Sequence, residues 1–96
     1  MGKFSVDKNP SDIMEELASK HKILRKAAGL SQSEIAERSG VSYGSIKRFE
    51  TTGQISLISL LKLAAILNRL NDFDKLFEPM ENLKEIEKLF SDKTRG

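Results

Sequence analysis

Cysteine is absent from the 96-residue chain, and histidine occurs once, as His21. Without cysteine no disulfide framework and no thiolate metal site can form, which suits a reducing cytoplasm. A lone imidazole with no second histidine beside it makes a poor metal site, so no metal is expected. Long apolar runs are missing as well. Nothing approaches the roughly 18 residues that span a bilayer, and MGKFSVDKNP lacks the apolar centre of a secretion signal. A cytoplasmic protein with no membrane partner is the expectation. The chain shows no glycine-rich phosphate loop, nucleophile elbow or metal constellation, so neither enzymatic activity nor a cofactor is expected. Charge of one sign is also scarce: 16 basic against 14 acidic side chains give +2, with a pI near 9.0. That is a weak lean towards nucleic acid and carries little by itself.

What is present is enough for one small globular domain, with 39% hydrophobic and 31% charged residues. Residues 1–10 read as a loose lead-in ended by Pro10. Ser11 or Asp12 can cap a helix running to about Ala28, with Ile13, Leu17, His21 and Leu24 at helical spacing. His21 on that apolar stripe is expected to be hydrogen-bonded at the edge of the core. Gly29 ends the helix, and Leu30 turns back towards the interior. From Ser56 the run LISLLKLAAIL is hydrophobic almost all round, which predicts a core helix buried on more than one side. Asn68 to Asn71 reads as a break, Asp72 to Phe77 as a short helical turn, and Pro79 as another break. A last amphipathic helix, about Glu81 to Ser91, carries Leu83, Ile86, Leu89 and Phe90 and either packs on the body or forms a dimer seam. The chain thus divides into a lead-in (1–10), a helical domain (11–78) and a C-terminal helix with its tail (79–96).

Function is written between Leu30 and Phe49, LSQSEIAERSGVSYGSIKRF. Ser31 and Glu34 form a capping box that starts a helix at about Gln32. Ile35 anchors that helix in the core, and Ala36 is small enough for a second helix to come close. Gly40 supplies the left-handed residue that stops it. Val41 plugs the turn, and Ser42 caps a second helix, about 43–51, whose apolar face is Ile46 and Phe49. Two helices crossing at about 90–120° over a three- or four-residue turn make a helix-turn-helix, the unit that sets its second helix in a DNA major groove.

The segment LRKAAGLSQSEIAERSGVSYGSIKRFE, followed by SLISLLKLAAIL, resembles the lambda-repressor-like, Cro-type (XRE) helix-turn-helix family over about His21 to Leu70. The resemblance implies an all-α, five-helix DNA-binding domain, here with an additional C-terminal helix. It also implies roles. Gln32, at the start of the first motif helix, is expected on a DNA phosphate, with the helix N-terminus adding amide donors for the same anion. Ser42 and Lys47 are further phosphate candidates. Tyr43, Gly44, Ser45 and Arg48 fall on the side that faces base edges, and Arg48 is the strongest base reader because its guanidinium can engage guanine in a bidentate pair. Gly44 has no side chain to read with but permits close approach to the groove. Arg25 and Glu50 match positions that pair with each other, tying the first helix to the end of the recognition helix.

These expectations add up to a sequence-specific, DNA-binding transcriptional regulator, a repressor by promoter occlusion. One small recognition helix contacts few base pairs, so a homodimer on a pseudo-palindromic double-stranded operator is expected, its two copies about 34 Å apart. Two alternatives stand beside it. One is the antitoxin of a toxin–antitoxin pair, binding its own promoter while another segment holds the toxin. The other is a protein-interaction module that no longer binds DNA.

Overall fold

The structure is a computed structural model that describes residues 8–79. It contains four α-helices, α1 (Pro10–Ala27), α2 (Gln32–Ser39), α3 (Tyr43–Thr52) and α4 (Leu57–Ile66), and then a 3₁₀ helix, Leu70–Lys75. No strand occurs among the described residues, and the architecture is the expected all-α one. The expected C-terminal helix, about Glu81 to Ser91, lies outside the described residues, as do the first seven residues of the lead-in.

Each α-helix starts on a side chain that satisfies backbone N–H groups the helix itself leaves free. In α1 this happens earlier than the sequence suggested. Asn9 is the N-cap: its side chain accepts from the Asp12 N–H at 2.9 Å, and the Asp12 carboxylate accepts from the Asn9 N–H at 3.2 Å. Pro10 therefore opens the helix rather than ending a lead-in. A proline at the first helical position loses no hydrogen bond, and its fixed φ already suits the helix. The capping box expected for α2 is present, with Glu34 N–H donating to Ser31 Oγ at 3.0 Å and Ser31 N–H donating to Glu34 Oε1 at 2.8 Å. Those bonds to Ser31 hold the Glu34 carboxyl below its ordinary pKa. Ser42 and Ser56 cap α3 and α4. α3 runs one residue beyond expectation, to Thr52, whose hydroxyl donates to the Arg48 carbonyl at 2.7 Å and accepts from the Gln54 N–H at 3.1 Å.

The core is small and central. Ile35 from α2, Ile46 and Phe49 from α3, and Leu63 from α4 are essentially inaccessible, and Ala18, Leu30 and Val41 close around them. Here α1 packs on α3, and α2 packs on both α3 and α4. The helix hydrophobic all round does not behave as expected. Of α4 only Leu63 and Ala64 are buried, while Leu57 and Ile58 are 63% and 60% exposed. Among the described residues α4 meets chiefly α2 and the 3₁₀ helix, which leave its other side uncovered.

Glycines with left-handed φ turn the chain after α1, α2 and α3, and two of them can be compared directly: Gly40 at +81° and Gly53 at +83°. Their surroundings differ. A Cβ on Gly40 meets open space, whereas one on Gly53 meets the Met14 backbone and Cβ of α1 at 2.9 Å. Gly40→Ala should therefore cost about 1 kcal/mol, the strain of a left-handed alanine alone. Gly53→Ala should cost clearly more, because α1 and α3 must separate as well. Urea denaturation of the two variants checks this; equal losses would show that the contact with Met14 is not limiting.

Candidate nucleic-acid interface

α3 has two unlike faces. Ile46 and Phe49 enter the core, while Tyr43, Gly44, Ser45, Lys47 and Arg48 are exposed together on the other side. At the start of the helix, Ser42 Oγ accepts from the Ser45 N–H at 3.1 Å and donates to Ser45 Oγ at 2.8 Å. Lys47 Nζ lies 5.3 Å from the centre of the Tyr43 ring, one helical turn away. A Cβ on Gly44 would meet nothing within 4 Å, so the middle of this face is open. Arg48 stands at the far end, where its guanidinium donates to the Gln54 side chain. Ser45, Arg48, Gln54, Ile55, Ser56 and Ser59 together line a shallow depression of about 280 Å³ between α3 and the start of α4. Gln54 was not among the expected site residues. It lies outside both motif helices, and no helical spacing links it to Arg48.

The opposite side of α3 is tied down by Glu50. Arg25 Nε donates to Glu50 Oε2 at 2.9 Å and Arg25 Nη2 to Oε1 at 3.0 Å, a two-pronged pair. Arg25 Nη1 also donates to the Leu30 carbonyl at 2.8 Å, which fixes the turn between α1 and α2. The expected pairing of Arg25 with Glu50 is thus present. Two further partners join it. His21 Nδ1 lies 2.7 Å from Glu50 Oε2, and Gln32 Nε2 donates to Glu50 Oε1 at 2.9 Å. Gln32, half-buried at the first turn of α2, therefore reaches the tethered side of α3 with its side chain rather than the exposed side. Its bond to Glu50 was not anticipated. That His21 and Arg25, four residues apart, share a face of α1 was a signal that His21 would join the cluster.

The cluster is nearly dry: the side chains of Glu50, His21 and Arg25 are 3%, 5% and 7% exposed. Burial by itself pushes the Glu50 carboxyl up. The hydrogen bonds from Arg25 and Gln32, the Arg25 charge and the His21 contact outweigh it and bring its pKa down to about 2. The bond to Glu50 raises Arg25 further above its ordinary value. His21 moves the other way, because loss of water disfavours the imidazolium more than Glu50 favours it. At neutral pH His21 is accordingly uncharged. An ionised carboxylate can only accept, so Nδ1 carries the proton and Nε2 is a bare acceptor. That Nε2 is buried and has no hydrogen-bond partner among the described residues. The ring rests on Phe49, centroids 5.2 Å apart.

The sequence model of the helix-turn-helix family matches residues 22–71, just over half of the chain and all of the motif. The chain belongs to the XRE-type, lambda-repressor-like helix-turn-helix family. No curated protein matches the chain. Family membership makes this a DNA-binding helix-turn-helix domain of the kind regulators carry, with α2 and α3 as its two motif helices. No helix of the described residues is long and apolar enough to cross a membrane.

The buried cluster makes stability depend on pH in two stages. The His21 pKa is lower folded than unfolded, so its contribution is complete above about pH 6.5 and declines below it, where the unfolded chain takes the proton first. The Glu50 pKa is also lower folded, so its contribution, on the order of 3 kcal/mol, is present above about pH 4.5 and lost as pH falls towards 2. Denaturation midpoints between pH 8 and pH 3 should fall in that order. His21→Gln should abolish the first decline and keep the second; a first decline that persists in this variant would place its origin elsewhere.

Proposed function

We propose that the protein is a sequence-specific transcriptional regulator that acts as a cytoplasmic homodimer on a pseudo-palindromic DNA operator and represses by occluding a promoter. The observation that carries this reading is the division of α3: one face is committed to the core and to Glu50, and the other is exposed and contributes nothing to the core. In this reading Tyr43, Gly44, Ser45 and Arg48 face base edges. Arg48 exchanges its Gln54 partner for a guanine, and Tyr43 meets a thymine methyl or donates its hydroxyl. Gln32, Ser42 and Lys47 hold phosphates on either side. A primary amide has two N–H donors, so Gln32 can serve Glu50 and a phosphate at once. With a net charge of only +2, one protomer neutralises few phosphates, and two copies are needed for firm binding.

Selection of bound duplexes from a random DNA pool at two salt concentrations tests the proposal. The expected result is a motif with two inverted half-sites, bound more weakly at the higher salt. No enriched motif, with no binding even at low salt, would overturn it. On the selected operator, Arg48→Ala should lose about 1–3 kcal/mol of discrimination at particular base pairs. Gln32→Ala should weaken all sequences more evenly. Base preferences unchanged by Arg48→Ala would remove Arg48 from the reading face.

Gly44 separates stability from binding. Its space is open, and alanine is the better helix former by up to about 1 kcal/mol, so Gly44→Ala should raise the melting temperature. The same methyl group would stand between α3 and the floor of the groove, so affinity for the operator should fall. A variant that is more stable and binds equally well would show that close approach at Gly44 is not needed.

A further inference from the structure

Several of the exposed apolar side chains stand together. Ile13, Leu17 and Leu24 form a stripe along α1, and Leu57, Leu60 and Ala64 form a second along α4, at spacings of three, four and seven residues. The two stripes are the walls of one groove of about 530 Å³, which Phe73 and Leu76 also line. Leu57 and Leu76 are each about 60% exposed there. A channel between two helical stripes has the form that receives a third helix. A second groove of the same shape cannot fill it, since two concave faces leave both open; the occupant must be convex.

The chain itself supplies such a segment. The described residues end at Pro79, three residues beyond Leu76 in the groove lining, and 17 residues follow. Among these, Leu83, Ile86, Leu89 and Phe90 recur at the period of one helical face, separated by Glu and Lys. From Ile13 to Leu24 the groove wall is about 16 Å long, and a helix from Glu81 to Ser91 has about the same length. We propose that residues 80–96 fold back within the same chain as an amphipathic helix that lays Leu83, Ile86 and Phe90 into the groove between α1 and α4. None of the exposed α3 side chains lines this groove, so the docked segment leaves the DNA-facing side open. The inference does not depend on what that side binds.

Methyl-labelled full-length chain provides the test. Nuclear Overhauser contacts are expected from Leu83 and Ile86 to Ile13, Leu17 and Leu57, and a sample mixing labelled with unlabelled chains should show that they arise within one chain. Ile86→Ser should abolish them, shift the methyl signals of Ile13, Leu17 and Leu57, and leave that of Ile46 in place. Absence of these contacts in the unsubstituted chain would overturn the proposal. So would contacts seen only between chains, which would assign the groove to the C-terminal segment of a second copy. Groove methyl signals that Ile86→Ser leaves unshifted, but that move on adding another protein, would assign it to that protein instead.

Discussion

A single buried carboxylate sets the geometry of this domain. Glu50 sits on the inner side of α3 and receives Arg25 and His21 from α1 and Gln32 from α2. A charge so far from water is tolerable only when its oxygens are occupied, and here both oxygens carry two contacts. Such a cluster contributes less net stability than its bonds suggest, because the desolvation of Arg25 and Glu50 is set against them. Its effect is directional. A hydrocarbon contact tolerates sliding, but a guanidinium fork on a carboxylate does not. The angle of α3 to α1 and α2 is therefore held by bonds with fixed geometry, while Ile35, Ile46, Phe49 and Leu63 supply the burial.

That division of labour explains why so small a core suffices. The helices are short, eight residues in α2 and ten in α3, and too short to persist alone. Side-chain caps at Ser31 and Ser42, left-handed glycines at Gly40 and Gly53, and the Glu50 cluster fix their ends and their orientation. The outer face of α3 is then free to vary in chemistry without loss of the fold. Tyr43, Gly44, Ser45, Lys47 and Arg48 contribute nothing to the buried core. Residues spared from packing on a helix held this firmly are available for recognition.

Local signals were legible in the sequence because they act over three or four residues. The capping box at Ser31 and Glu34, the stop at Gly40 and the apolar pair Ile46 and Phe49 all stand where the spacing put them. The pairing of Arg25 with Glu50 was legible only through family resemblance, since 25 residues separate them. Gln32 meeting Glu50 was not legible at all: it depends on how α2 docks against α3, which no local pattern encodes. Pro10 misled because proline breaks a helix in its interior and favours the first turn, and only the Asn9 cap decides which applies. The apolar run of α4 predicted burial correctly as a requirement, but sequence does not say which neighbour meets it. Leu57 and Ile58 remain uncovered among the described residues. The roles of the exposed α3 residues on DNA stay proposals, because a reading face is defined by a partner as much as by the chain.

The position of Gln32 links the two halves of the proposed function. Its amide is anchored to Glu50, and Glu50 belongs to α3, so the first residue of α2 is fixed relative to the helix proposed to read bases. A phosphate contact made there would not be an independent handhold. It would share one rigid frame with the contacts of Arg48, sixteen residues on in sequence but joined through a single carboxylate two residues beyond it. Phosphate contacts position a protein and base contacts specify the sequence. Discrimination needs the two in register, because a guanidinium displaced by about 1 Å no longer makes both bonds of a bidentate pair. A buried ionic cluster is therefore well placed where it lies: in the proposed reading it ties a grip on the backbone to a fixed position over the bases.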